Sequence, residues 1–318
     1  MVEHGPKTKI FKPDDTSLAG MAEILRSGGL VAFPTETVYG IGADATNTEA
    51  VARIYEAKGR PVFNPLIIHV HNLQLARKIA DISGDALRLA EAFWPGPLTL
   101  VVPLRANSAI SPRVTAGLPT VAIRVPGHKL ARALLESFGG PVAAPSANPS
   151  GKISPTQASH VVQEMSGRIA AVLDGGPCTV GVESTIVGFD PIAQILRPGG
   201  LPAEIIETCL GYPVGVGENT AKPTAPGQLS SHYAPDATLR LNAQERREGE
   251  VLLGFGTVEC DLNLSPSGDL AEAASNLFAA LRKLDKQSEG RIAVSPIPDR
   301  GLGRSINDRL RRAAAPRR

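Results

Sequence analysis

A chain of 318 residues, 42% hydrophobic and 20% charged, is long enough for about two ordinary domains and too apolar to be a disordered polymer. Its 32 glycines and 27 prolines, roughly a fifth of the chain with no G-X-Y period, exclude collagen and point to a loop-rich globular protein. The formal net charge of +2 excludes a polyanion-coated partner as the default while leaving room for a local basic face.

In chain order, Leu18, Met21, Ile24 and Leu25 recur at helical spacing, and Gly28-Gly29 stops that helix before the apolar run 30–33. A second helix is predicted over 49–58, with Val51, Ile54 and Tyr55 on one side and Gly59 and Pro61 ending it. Strands follow at 66–71, 98–104, 120–125, 142–144, 171–173, 185–187 and 192–196, with helices at 73–82, 86–93, 129–138 and 156–165 between some of them. Strands interleaved with helices predict an α/β domain on a twisted mixed sheet with flanking helices over 1–210. Residues 211–237 are dense in Gly, Pro, Ser and Thr with almost no apolar period, and read as a linker. A strand at 251–255, a helix at 270–284, a strand at 291–294 and a helix at 305–314 make 238–318 a small C-terminal α/β domain.

No apolar run reaches the ~18 residues of a membrane span, and MVEHGPKTKIFKPDD lacks a signal-peptide core, so a soluble, cytoplasmic protein without membrane contact is expected. Cys178, Cys209 and Cys260 are far apart in sequence and form no CxxC pair, which disfavours a disulfide framework or a structural zinc and leaves them as small buried hydrophobes. Aromatic residues make up 4% of the chain and do not cluster into a base-stacking platform.

The familiar signatures GxxxxGK[ST], strand-linked GxGxxG, GxSxG and HExxH are missing, which disfavours a P-loop ATPase, a Rossmann dehydrogenase and an α/β-hydrolase. What recurs is a buried strand ending in hydroxyl, amide or cationic side chains. Phe33 leads into Pro34-Thr35-Glu36-Thr37; Ile67, His69 and His71 share a face, as do Thr120, Ala122 and Arg124; then come Ala144-Pro145-Ser146-Ala147-Asn148, Glu183-Ser184-Thr185 and Leu196-Arg197-Pro198-Gly199. Strand ends are where open α/β sheets bind ligands, although each Ser or Thr alone also serves as a turn or cap residue.

Lys58-Gly59-Arg60-Pro61 places two cations just after a helix, and Asn64-Pro65 precedes the next strand. Such a loop aims an ammonium and a guanidinium at a polyphosphate, or simply complements a helix C-terminus. Arg124 on an apolar strand needs an anionic partner, either a bound carboxylate or phosphate or a distant Asp or Glu. His69 reads as a core histidine or a catalytic one. Glu36, Asp44, Asp174 and Glu183 show no metal-ligand spacing, so no protein-held metal is expected.

PTETVYGIGADA (34–45), EAKGRPVFNPLIIHV (56–70), FWPGPLTLV (93–101), TVAIRVP (120–126), AAPSANPSG (143–151), GVESTIV (181–187) and LRPG (196–199) together resemble the YrdC-type domain of L-threonylcarbamoyladenylate synthases. Pro226-Gly227, His232-Tyr233-Ala234-Pro235 and GLGRSINDRLRRAA (301–314) resemble the longer, two-domain form of that family. The resemblance implies a nucleotidyltransferase that joins L-threonine, bicarbonate and ATP into threonylcarbamoyl-AMP and pyrophosphate, with Mg²⁺ carried mainly by ATP. Transferase proteins acting on tRNA would then use the product.

Carried over by position, Lys58, Arg60, Asn64, Thr120, Ser146, Asn148, Ser154, Arg197, His232 and Tyr233 would face ATP, with Lys58 and Arg60 carrying catalysis. Thr35, His69, Arg124, Ala144 through its backbone and Ser184 would face threonine. The chain departs from the family at Gln228-Leu229-Ser230-Ser231, where Lys or Tyr is frequent. Two rivals stand beside this reading. One is a relative making a different carbamoyl adenylate, whose usual zinc fingers and acylphosphatase-like modules do not fit this length and cysteine pattern. The other is a non-catalytic RNA-binding module using basic loops and the tail Arg309, Arg311, Arg312, Arg317 and Arg318, with weak tRNA contact left open. That tail also reads as a solvated basic face.

Overall fold

The computed structural model describes residues 8–217 and 232–316; Pro226-Gly227, the Gln-Leu-Ser-Ser departure at 228–231, and Arg317 and Arg318 lie outside the described residues. The chain runs β1 (Lys9–Phe11), α1 (Asp15–Arg26), β2 (Val31–Phe33), β3 (Gly40–Asp44), α2 (Thr48–Lys58), β4 (Ile67–His69), α3 (Leu73–Ile79), α4 (Gly84–Phe93), β5 (Leu98–Pro103), α5 (Pro112–Thr115), β6 (Thr120–Arg124), α6 (Lys129–Phe138) and β7 (Val142–Ala143). It continues through α7 (Ala158–Met165), β8 (Ala171–Leu173), β9 (Thr185–Phe189), β10 (Ala193–Arg197), α8 (Ala203–Leu210) and β11 (Gly215–Val216). The last part comprises β12 (Thr238–Arg240), β13 (Val251–Gly254), β14 (Leu262–Asn263), α9 (Leu270–Gln287), β15 (Arg291–Val294) and α10 (Leu302–Ala314).

Local chemistry sets the helix limits. The Asp14 carboxylate accepts the Ser17 N–H and caps α1, which buries Leu18, Met21, Ala22 and Leu25. Asn47 accepts the N–H groups of Glu49 and Ala50 to start α2, and Gly59, at φ +59°, ends it in the left-handed conformation. This turn leaves Lys58 on the last helical residue and Arg60 in the loop beyond.

Eleven strands form one mixed sheet in the order β1-β8-β2-β3-β7-β4-β6-β5-β9-β10-β11. β4 and β6 are parallel with His69 opposite Arg124, and β7 runs antiparallel to β4 with Val142 opposite His69. The run Leu98–Val102 is buried without alternation because Leu98, Leu100 and Val102 face the main core, while Thr99 meets Ser184 and Val101 packs with Ile67, Ala122 and Ile186 on the other face. The expected mixed α/β architecture is therefore the observed one. The segment 34–45 also contributes a central strand, β3, that hydropathy does not announce, because Gly40 and Gly42 interrupt its apolar period.

A second sheet, β12-β15-β13-β14, is parallel throughout. Helix α9 buries Ala273, Ala274, Leu277, Phe278, Leu281 and Leu284. That face belongs to an apolar cluster that also contains Val38, Ile153 and Val182 from the large sheet's loops, so the two sheets share a core. Gly181, at φ +76°, makes the contact possible: a Cβ there would lie 2.4 Å from Ser275 Cα and 2.5 Å from the Ala274 carbonyl oxygen. Arg282 of α9 adds an ion pair to Glu164 at 2.5 Å and a hydrogen bond to the Ile153 carbonyl. The three cysteines are free, with Cys178 buried as expected but Cys209 and Cys260 only half-buried. Among the described residues no helix is long and apolar enough to cross a membrane.

Candidate active site

The carboxyl ends and following loops of β2, β4, β6, β7 and β10, with the loop leading into β9, meet around one cleft. Its walls include Thr35, Arg60, His69, Arg124, Ala144, Ser146, Ser184 and Arg197, with His232 and Tyr233 entering from the far side. Ten of the residues singled out from sequence therefore line a single cavity. Lys58, Asn64, Asn148 and Ser154 are buried beside that lining and bonded to it, Lys58 to Ser146 and Asn148, Asn64 to Arg60 and Ser154 to Glu183. Thr120 begins β6, half-buried, on the same face as Arg124 but outside the cavity lining.

At one end, Arg124 is 3% exposed and each of its three guanidinium nitrogens donates one hydrogen bond to protein, which leaves two N–H groups over. Nε donates to the Gly96 carbonyl (3.1 Å), Nη1 to Thr37 Oγ1 (3.0 Å) and Nη2 to Glu36 Oε1 (2.5 Å). The distant acid is thus Glu36, whose motif supplies both partners. Burial pushes the Glu36 carboxyl up, but the adjacent Arg124 guanidinium and the Gly127 N–H together bring the net shift downward. Thr35 Oγ1 lies 2.7 Å from Thr37 Oγ1 and donates to the Val38 carbonyl at 2.6 Å, which orients the hydroxyl pair beside Arg124.

His69 is 4% exposed and its Nδ1 has no partner among the described residues. Burial and then the charge of Arg124 lower its pKa to about 3, so the imidazole is neutral. Ala144 donates its N–H to the Ile67 carbonyl at 2.9 Å, which draws the β7 end against β4. Ser184 Oγ lies 2.7 Å from Thr99 Oγ1, and Arg197 Nη2 donates to the Ser184 carbonyl at 2.8 Å and to its hydroxyl at 3.2 Å. Gly199 allows this approach: a Cβ would sit 2.3 Å from the Glu183 carbonyl oxygen and from the Ser184 carbonyl carbon.

At the other end, Lys58 Nζ donates to the Ser146 carbonyl at 2.5 Å and to the Asn148 carbonyl. Arg60 donates to the Asn64 side-chain oxygen (2.7 Å) and to the Asn64 and Pro65 carbonyls (3.1 and 2.8 Å). Asn148 donates to the Pro149 and Lys152 carbonyls. The two cations thus fold the 60–65 and 146–152 loops around themselves. Burial and the charge of Arg60 hold the Lys58 ammonium well below the usual lysine range, and burial draws Arg60 down to about 10. Cations outnumber the carboxylates around the cleft, so a bound polyanion would relieve their mutual repulsion.

His232 and Tyr233 are 7% and 1% exposed, with ring centroids 4.2 Å apart in an edge-on arrangement. Tyr233 adopts φ +62°, uncommon for a side-chain-bearing residue, and stacks on Phe278 at 5.7 Å. Burial lowers His232 to about 3.

Three contributors were not singled out from sequence as site residues. Thr37 relays Arg124 to Thr35, and Glu183 lines the cleft while accepting Ser154 Oγ. The third is Arg309, and here the tail reading is corrected: Arg309 is 0% exposed, neither solvated nor open to phosphates. It pairs with Glu183 at 2.9 Å and with Asp308 at 2.9 Å, and its guanidinium lies 5.3 Å from the Tyr233 ring centroid. Its place on the apolar face, three residues after Ile306, was the available signal. Arg312 pairs with Asp308 at 3.0 Å, and Arg311 is exposed.

Two family models match in tandem. The one described as "Telomere recombination" covers residues 23–199, and the one described as "Threonylcarbamoyl-AMP synthase, C-terminal domain" covers 201–315. The chain is 43% identical to the threonylcarbamoyl-AMP synthase of Bacillus subtilis, with 98% of this chain and 96% of that protein covered. The chain belongs to the threonylcarbamoyl-AMP synthase family. The Pyrococcus abyssi member is also 43% identical, over 92% of each chain. The crystal structure of P. abyssi Sua5 complexed with L-threonine superposes with a TM-score of 0.90 at 38% identity, covering 96% of this chain and 98% of that one. The resemblance read from the strand-end motifs is therefore borne out across both sheets. Among the described residues no group of three or more His, Cys, Asp or Glu side chains is placed to hold a metal ion.

Proposed function

We propose that the protein converts L-threonine, bicarbonate and ATP into threonylcarbamoyl-AMP and pyrophosphate, a nucleotidyl transfer that supplies tRNA-modifying transferases in the cytoplasm. The observation that carries this reading is the two-ended cleft: an arginine-hydroxyl pocket with a neutral imidazole lies beside loops organised by buried cations. Full-length similarity to threonylcarbamoyl-AMP synthases, one crystallised with L-threonine, supports it.

In this reading the threonine carboxylate meets Arg124, with Thr35 and Ser184 accepting or donating around the amino acid and the Ala144 backbone closing the pocket. Glu36 shares the guanidinium and keeps it oriented. The threonine amine attacks bicarbonate carbon and water leaves, giving an N-carboxylate. Neutral His69 orients the amino acid without adding charge. A carbamate oxygen then attacks the α-phosphorus; that O–P bond forms as the bond to pyrophosphate breaks, and no strong base is needed because the nucleophile is already anionic. The chain's contribution is to hold the carbamate in line and offset phosphate charge.

Lys58, Arg60, Ser146, Ser154 and Arg197 face the nucleotide, Asn64 and Asn148 hold its loops, Thr120 lies towards its outer end, and His232 and Tyr233 cover it. Mg²⁺ enters as part of the ATP substrate. Incubation with ¹³C-bicarbonate, L-threonine and ATP should yield a labelled threonylcarbamoyl-AMP by mass spectrometry. An unlabelled adenylate, or ATP hydrolysis alone, would contradict the reaction. The bare RNA-binding reading loses support because Arg309 is consumed in ion pairs.

A further inference from the structure

The small parallel sheet has its own cavity, separate from the cleft. β12 and β15 are parallel neighbours, so their carboxyl ends open on the same side, where ligands of open α/β sheets are commonly bound. A cavity of about 270 Å³ lies there, between the chain leaving β12 and β15 and helix α10.

Its polar lining is unusual in what it leaves unmatched. Ser295 is 6% exposed, yet its hydroxyl has no hydrogen-bond partner among the described residues. A buried unpaired hydroxyl is costly, which makes a ligand atom its natural partner. Asn242, the second residue past β12, sits in the left-handed region at φ +56°, a conformation that clusters at binding sites. Asn307 donates to Asp299 Oδ1 at 3.1 Å and fixes that carboxylate. Asp299 and Arg311, both exposed to solvent, line the rim of the cavity together. Leu241, Ile297 and neighbouring apolar side chains form the remaining wall.

A cation, an acid, a buried hydroxyl and an apolar wall in so small a space match a zwitterion. We infer that this cavity binds a free polar α-amino acid, its carboxylate on Arg311, its ammonium on Asp299, and its side chain along the apolar wall with a polar atom on the Ser295 hydroxyl. A phosphate or nucleotide fits less well, since Asp299 would repel it. Arg311 lies two residues beyond Arg309 on α10, so occupancy would bear on the helix that reaches Glu183. Asp299 and Arg311 also border a second cavity, lined by Leu196, Pro198 and Val214 of the large domain, whereas Asn242 and Ser295 do not, which selects Ser295 for the test.

The test is calorimetric titration of the full chain, without ATP or bicarbonate, with the standard L-amino acids, their D-enantiomers, AMP and inorganic phosphate. At least one L-amino acid should bind in a step additional to L-threonine binding at the cleft, and Ser295→Ala and Arg311→Ala should each weaken that step tenfold or more. A cooperative thermal melt for each variant establishes folding independently of the proposed reaction; Ser295→Ala should melt no lower than the parent, because its hydroxyl is unpaired. With the L-threonine signal of the cleft set aside, amino-acid binding indifferent to both substitutions, no binding beyond L-threonine at the cleft, or preference of the Ser295-dependent site for AMP or phosphate would overturn the inference.

Discussion

Arg309 Nε lies 2.9 Å from Glu183 Oε2, joining the last helix of the small domain to the wall of the cleft with both side chains almost wholly buried. Glu183 also accepts the Ser154 hydroxyl, and Arg309 covers the face of Tyr233. One guanidinium therefore ties together the small domain, Tyr233 at the cleft and the Ser154 loop. Burial raises the Glu183 carboxyl, but Arg309 and Arg197 outweigh it and hold it below the usual carboxylate range.

Arg309→Met leaves Glu183 buried without its main partner, and breaking such a pair costs about 3–5 kcal/mol. The expected result is a lower urea midpoint. Pairing it with Glu183→Gln should recover part of the loss, since the orphaned charge is then removed. A double variant no more stable than the sum of its singles would contradict the coupling.

Arg124→Lys keeps the charge but loses the fork shared among Gly96, Thr37 and Glu36. Steady-state kinetics should show a higher KM for L-threonine, by about 2 kcal/mol or roughly thirtyfold. The KM for ATP should change little. Equal changes in both would place Arg124 elsewhere in the reaction.

The pH dependence follows from His69 and His232, whose folded pKa values are about 3, against about 6.5 unfolded. Between those values the unfolded chain binds more protons than the folded one, so stability is fully present above about pH 6.5 and falls as pH drops through the window. The slope is at most about 1.4 kcal/mol per pH unit for each histidine. Denaturation midpoints followed from about pH 7 to pH 4 should fall, and His69→Gln should flatten the curve. A flat parent curve would contradict neutral, buried imidazoles.

Gly199→Ala tests the close approach of the Arg197 loop to residues 183–185. The added Cβ meets backbone 2.3 Å away, an overlap costing ~1–3 kcal/mol or more as the loop moves. Both stability and ATP affinity should drop together. An unaffected ATP affinity would separate Arg197 from the nucleotide.

Much of this arrangement was legible in the chain because buried parallel strands are written as apolar runs and their ends as polar clusters. Leu98–Val102 and the Lys58-Gly59-Arg60 turn are examples in which local pattern and tertiary role coincide. Where the pattern failed, the cause was long-range. The partner of Arg124 is Glu36, 88 residues away, and no spacing rule joins them. Arg309 looked like one more arginine in a basic tail; only its helical phase, three residues past Ile306, marked it for burial. The strand β3 was hidden by the glycines that let it lie between β2 and β7. The unpaired Ser295 hydroxyl is likewise a property of packing, invisible in the run Arg291–Val294 that precedes it.

The most direct test of the proposed activity is pyrophosphate release from ATP and bicarbonate, with L-threonine, D-threonine, L-serine or no amino acid, for the parent and for Lys58→Ala. The account predicts release that requires L-threonine and falls ~30- to 1000-fold in the variant, as loss of one charge-assisted transition-state contact does. Release indifferent to the amino acid, or unchanged in Lys58→Ala, would contradict it.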